Sequence, residues 1–148
     1  MKLNAEYLQE TTFDKFGGHA KASILLRMLP RPTAIFASND LIALGVLLAL
    51  RECGLSCPGD VSLIGFDDLD IAEMTNPQLS SVHQPGYQLG ATAARLLLER
   101  VAGSAAPARH LVLETELKIR QSVAPPPDSL PLDGKPNSSR KKRVVVEA

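Results

Sequence analysis

Net charge, cysteine and long apolar runs are all scarce in this sequence, and each shortage removes a class of function. Sixteen basic and sixteen acidic residues leave the 148-residue chain formally neutral, with a pI near 6.8. Duplex binding rests largely on neutralising phosphates, so the body of the chain has no electrostatic claim on DNA. Setting aside residues 123–148, the body holds eleven basic against thirteen acidic residues. Two cysteines, Cys53 and Cys57, are too few and too closely spaced for a disulfide framework or a four-ligand zinc site. The longest apolar run, residues 41–50, is about half of the roughly 20 residues that span a bilayer. The opening MKLNAEYLQE has no apolar signal core. A soluble cytoplasmic protein with no membrane association is expected. The motifs GxSxG, HExxH, GxxxxGKS/T and GxGxxG are missing, which argues against an enzyme and against a nucleotide or metal cofactor.

What the chain does have is a hydrophobic content of 45%, enough to build one modest core. Residues 33–37 (TAIFA), 61–66 (VSLIGF) and 79–83 (LSSVH) read as strands, being short, rich in branched or aromatic residues and bounded by turn formers. A first strand is expected around residues 6–11, and two short ones at 111–114 and 117–120. Between them lie helical patterns: Ala22, Leu25, Leu26 and Leu29 ahead of Pro30, residues 39–53 ended by Gly54, and residues 87–102 ended by Gly103. Alternating strand and helix predicts an α/β fold of three layers, a parallel sheet with helices on both faces. After Ala124 the periodicity gives way to Pro, Ser and charge, so residues 1–124 are expected to form the domain and 125–148 a disordered basic tail.

The stretch VSLIGFDDLD runs an apolar strand into three acids within four residues. In parallel sheets the residues just past the strand ends gather along one edge, where open α/β folds bind ligands. Asn39 follows one strand and Asp67 the next, so both are expected to face one crevice. Phe13, placed after the expected first strand, adds an aromatic plate. A carboxylate that accepts from two hydroxyls and an amide that donates and accepts suit a neutral polyhydroxylated ligand. Asp68 and Asp70 are expected to cap a short helix over residues 69–74. Asp67 and Asp68 could alternatively hold Mg²⁺ for phosphoryl transfer, although neighbouring strand ends offer few further acids. His83, at a strand end, reads as a partly buried imidazole rather than a site residue.

The series AIFASNDLIALGVLLALRECGL, PGDVSLIGFDDLDIAEMTNPQLSSVHQP and LGATAARLLLERVAG resembles, in order and spacing, the C-terminal part of the effector-binding domain of LacI/GalR transcription regulators. The resemblance covers residues 12–123. It implies a periplasmic-binding-protein-like fold of type I, of which this chain holds largely the C-terminal subdomain. It also implies a sugar-like effector, with Phe13 stacking on it and Asn39 and Asp67 contacting it. A homodimer is implied for the intact family member, built through residues near 41–49 and 70–74. DNA would be bound through a separate helix-turn-helix headpiece. Periplasmic sugar-binding proteins share the pattern and are the rival reading; the GFDD and VHQP context favours the regulator. Neither headpiece nor most of the first subdomain has a counterpart in the 148 residues. The helix carrying Leu89, Ala93, Leu96, Leu97 and Val101, which in relatives packs on the first subdomain, must therefore find a new seat or expose an apolar face. The run RKKR at residues 140–143 reads as a solvated tail.

Overall fold

A computed structural model describes residues 4–103 and 106–125. After a 3₁₀ turn over Ala5–Tyr7, helix α1 (Lys15–Leu25) precedes strand β1 (Ala34–Phe36), helix α2 (Asp40–Glu52), strand β2 (Ser62–Asp67) and the single-turn α3 (Ile71–Met74). Strand β3 (Ser80–His83), helix α4 (Gly86–Val101) and strand β4 (Glu116–Lys118) follow. The strands stand side by side in sequence order. The first three are parallel, with Ile35 beside Leu63 and Asp67 beside His83, and β4 returns antiparallel to β3 with Glu116 beside His83.

The α/β architecture with a parallel sheet is as the alternation requires, but its layers are unequal. One face carries Ile35, Leu63 and Leu79 into a core with Ala22 and Leu25 of α1 and Ile42, Val46, Ala49 and Leu50 of α2. Two glycines let the helices meet closely. A Cβ on Gly18 would fall 2.3 Å from the Ile42 carbonyl oxygen, and one on Gly45 would fall 2.1 Å from that of Lys15, so only glycine permits this approach. Asp14 caps α1, accepting from the Phe16 and Gly17 amides; those bonds, led by Gly17 and helped by the Thr12 hydroxyl, hold its carboxyl below the ordinary value. On the other face Phe36, Ile64, Phe66 and Val82 are half-buried, and the two phenyl rings meet edge to face at 6.4 Å.

Three expectations fail locally. Residues 6–11 form no strand: Ala5–Tyr7 is a 3₁₀ turn and the Tyr7 hydroxyl donates to the Pro30 carbonyl, so the stretch is held by local turns and a side-chain bond and leaves the edge of β1 unpaired. Residues 111–114 are likewise not a strand. Asp70 makes no capping bond to α3, and Asp68 turns elsewhere, as described below. The orphaned helix takes the exposed alternative, because α4 has no buried residue and Leu89, Leu97, Leu98 and Val101 are each more than half exposed. The sheet is closed instead by the segment after β4. The Ser122 hydroxyl accepts from the Ser80 amide and donates to the Leu63 carbonyl, while its own carbonyl accepts from the Leu63 amide. The expected tail, with its RKKR run, lies outside the described residues from 126 onward.

Candidate functional site

Asn39, Asp67 and Gln84 stand just beyond, or at, the C-terminal ends of three adjacent parallel strands. Asn39 ends the approach to α2 in an extended conformation, and its side-chain oxygen accepts from the Ile42 amide at 2.7 Å. That cap engages one lone pair of the amide oxygen of a residue only 5% exposed and leaves the N–H₂ donors and the second lone pair for recognition. Asp67 is half-buried, and one of its oxygens accepts from the Gln84 side chain at 2.6 Å. Gln84 is a site candidate that motif reading passed over; its place directly after a strand end was the available signal.

The crowded acids are explained by separation of roles. Asp68 pairs with Arg120 at 2.7 Å and with His83 at 3.1 Å, and Arg120 also reaches Glu73 and the Leu79 carbonyl. Asp68 is therefore tied to β3 and to the segment after β4, not to the N-terminus of α3. Asp67 and Asp68 diverge to different partners, which does not suit a shared Mg²⁺, and among the described residues no cluster of three His, Cys, Asp or Glu side chains has metal-binding geometry. Both acids adopt the left-handed region, with φ of 100° and 57°. Non-glycine residues are costly there and such outliers gather at ligand sites.

A fourth carboxylate organises the others. Asp40 is fully buried. One of its oxygens accepts from the Ser81 hydroxyl at 2.7 Å, and the other accepts from the Leu69 amide at 2.8 Å. The Ser81 oxygen in turn accepts from the Asp68 amide. Burial raises the Asp40 pKa above its ordinary value, the two hydrogen bonds oppose that rise, and the neighbouring Asp67 and Asp68 charges add to it. Sequence pattern shows Asp40 only as a helix-start acid, because its partners lie 29 and 41 residues away.

Phe13 is 71% exposed, next to the equally exposed Phe16, over whose ring Lys15 sits. It precedes α1, whose Gly18 packs on Ile42 of α2, so the start of α1 lies alongside the first turn of the helix that Asn39 caps. Three surface cavities have none of Phe13, Asn39 and Asp67 in their lining. One of about 440 Å³ borders Thr11, Thr12 and Lys21; one of about 370 Å³ lies between α4 and residues 106–109; one of about 90 Å³ includes Gln84 and Leu89. No helix among the described residues is long and apolar enough to cross a membrane.

Residues 3–123 match the family of periplasmic binding protein-like domains. The ribose operon repressor of Haemophilus influenzae is 38% identical over 121 residues, which make up 82% of this chain and 36% of that protein. Among solved structures, a LacI family transcriptional regulator from Enterococcus faecium with bound ribose aligns with a TM-score of 0.72 and 37% identity, covering 78% of this chain and 42% of that one. The transcriptional regulator CelR in complex with cellobiose aligns with a TM-score of 0.79 and 37% identity, covering 82% and 37% respectively. The chain spans little more than a third of the length of the curated relatives it matches. With an antiparallel return strand closing three parallel ones and with this match over most of its length, the chain belongs to the periplasmic binding protein-like domain family, in the branch found in LacI-type transcriptional regulators.

Proposed function

We propose that this chain is the ligand-sensing part of a LacI-type regulator, and that it binds a sugar-like effector at the C-terminal ends of β1, β2 and β3. The observation that carries the reading is the placement of an amide donor and a carboxylate, Asn39 and Asp67, at the ends of adjacent parallel strands, in a chain whose relatives include regulators solved with ribose and cellobiose. Asp67 accepts from ligand hydroxyls, Asn39 donates to a ligand oxygen, and Phe13 supplies an apolar plate. The protein acts in the cytoplasm by binding and not by catalysis, with residues 1–124 as the effector-binding part. Operator DNA is contacted by a headpiece elsewhere in the full regulator. The exposed apolar residues Leu41 and Leu48 on α2, with Leu69 just before α3 and Met74 at its end, supply the subunit contact of a homodimer.

Titration of the ¹⁵N-labelled chain with ribose, cellobiose and other sugars, with Mg²⁺ as a contrast, tests the reading. Saturable shifts at Asn39 and Asp67 with a sugar are expected. Asp67→Asn should weaken that binding about 10- to 100-fold, the equivalent of the roughly 1.5–3 kcal/mol that a hydrogen bond to a charged group contributes. Shifts with Mg²⁺ alone, or sugar shifts confined to residues remote from the strand ends, would overturn it.

A further inference from the structure

Nothing in the proposed ligand contacts explains why Asp67 and Asp68 stay in a backbone conformation that side chains disfavour. The turn they form has no glycine, and its two flanking amides, Asp68 and Leu69, point inward to acceptors supplied by other elements. Those acceptors converge on one carboxylate, which sits next in sequence to Asn39. Three features are shaped around it: Ser81 of β3 donates to it, the Leu69 amide donates to it, and Gly65 of β2 leaves it room, since a Cβ there would lie 2.1 Å from its Oδ1.

We propose that Asp40 is the positioning residue of the effector site: through Ser81 and the Leu69 amide it holds the Asp67–Asp68 turn and so fixes the Asp67 carboxylate relative to Asn39, its own neighbour. The proposal rests on the reading of Asn39 and Asp67 as ligand contacts. Asp40 itself is fully buried and touches no ligand; its effect on recognition passes through geometry. The chain of bonds joins all three strand ends that carry site residues: Asp40 follows β1, the turn follows β2, and Ser81 belongs to β3 two residues before His83. A ligand that bridges Asn39 and Asp67 therefore meets a spacing set before it arrives, and the site selects among hydroxyl arrangements by that spacing.

The test compares Ser81→Ala and Asp40→Asn with Ser62→Ala, which removes an equally buried hydroxyl at the opposite end of β2. Amide hydrogen exchange and ribose titration are read on the same labelled full-length samples. Ser81→Ala should speed exchange at Asp68 and Leu69 at least tenfold beyond the change elsewhere and weaken ribose binding at least tenfold. Ser62→Ala should destabilise the chain while leaving ribose affinity within twofold, an outcome that a purely structural role for Ser81 would not separate. Asp40→Asn keeps the shape of the side chain and supplies the same readings should Ser81→Ala fold poorly. Unchanged exchange at Asp68 and Leu69, or unchanged ribose affinity in a variant whose turn has loosened, overturns the proposal. If the wild-type chain takes no sugar, the carbohydrate reading falls by itself, and the proposal is then judged on whether the Asn39, Asp67 and Asp68 resonances move together in the variants.

Discussion

Helices α2 and α4 both follow a parallel strand, have similar lengths and are rich in Leu and Ala, yet they are embedded very differently. Seven residues of α2 are buried, whereas α4 buries none. The pattern of α2 is apolar nearly all round, and α1 and the sheet cover it from two directions. The pattern of α4 is the more clearly one-sided of the two, and its apolar stripe still stands in solvent. A periodic stripe thus specifies which face of a helix wants a partner, but the partner has to be supplied by something else. What does anchor the C-terminal part is the short segment from Arg120 to Ala124, through buried hydroxyls and backbone groups.

The sharpest way to break that comparison is a matched pair of truncations. Leu63→Ala, at a fully buried position facing α2, should lower unfolding free energy by about 2–5 kcal/mol, whereas Leu97→Ala on α4 should change it by no more than about 0.5 kcal/mol; urea melts of both variants decide it, and equal losses would mean that α4 is seated. Next in size, Ser122→Ala leaves the Ser80 amide and a Leu63 carbonyl lone pair without their partner, so a loss of about 1–3 kcal/mol is expected in the same assay. Asn39→Ala removes the cap of α2 and should remove about 1 kcal/mol; a loss confined to ligand affinity would show that the cap contributes little. The smallest effect sharpens the picture on the packed side. Because the folded-state pKa of Asp40 is raised, the native state holds that proton more tightly than the unfolded chain does. Its ionised form therefore weighs against stability at neutral pH, and the penalty is relieved as pH falls from the raised value toward 3.8. The stability of wild type relative to Asp40→Asn should rise across that window in melts run at successive pH values, and a flat difference would contradict the assignment.

The three parallel strands and α2 were legible in the sequence because each carries its own local signal: branched residues between turn formers, or an apolar helical run ended by a glycine stop. The strand expected at residues 6–11 is not there because strand formation depends on pairing, and the apolar and β-favouring residues of that stretch cannot report whether it pairs with a neighbour or folds into a local turn. Placement of Asn39 and Asp67 at strand ends followed from the alternation of elements alone. Asp40, Ser81, Gln84 and Arg120 stayed hidden for a different reason. Their meaning lies in pairings across 13 to 52 residues of chain, as in Ser81 with the Asp68 amide and Arg120 with Asp68, and no local pattern encodes such pairings. Asp68 and Asp70 illustrate the opposite error: acids before a short helix read as caps, yet the single turn of α3 is held by packing of Ala72 and the nearby Arg120–Glu73 pair.

The dependence of β2 and β3 on Ser122 has a consequence for biosynthesis. A ribosome delivers the central strands some forty residues before it delivers the hydroxyl that bonds both Ser80 and Leu63, at about 5–20 residues per second. Until residue 122 emerges, the Ser80 amide and the Leu63 carbonyl have water in place of that hydroxyl as their partner, so the two strands gain their shared bond only after the rest of the sheet has been delivered.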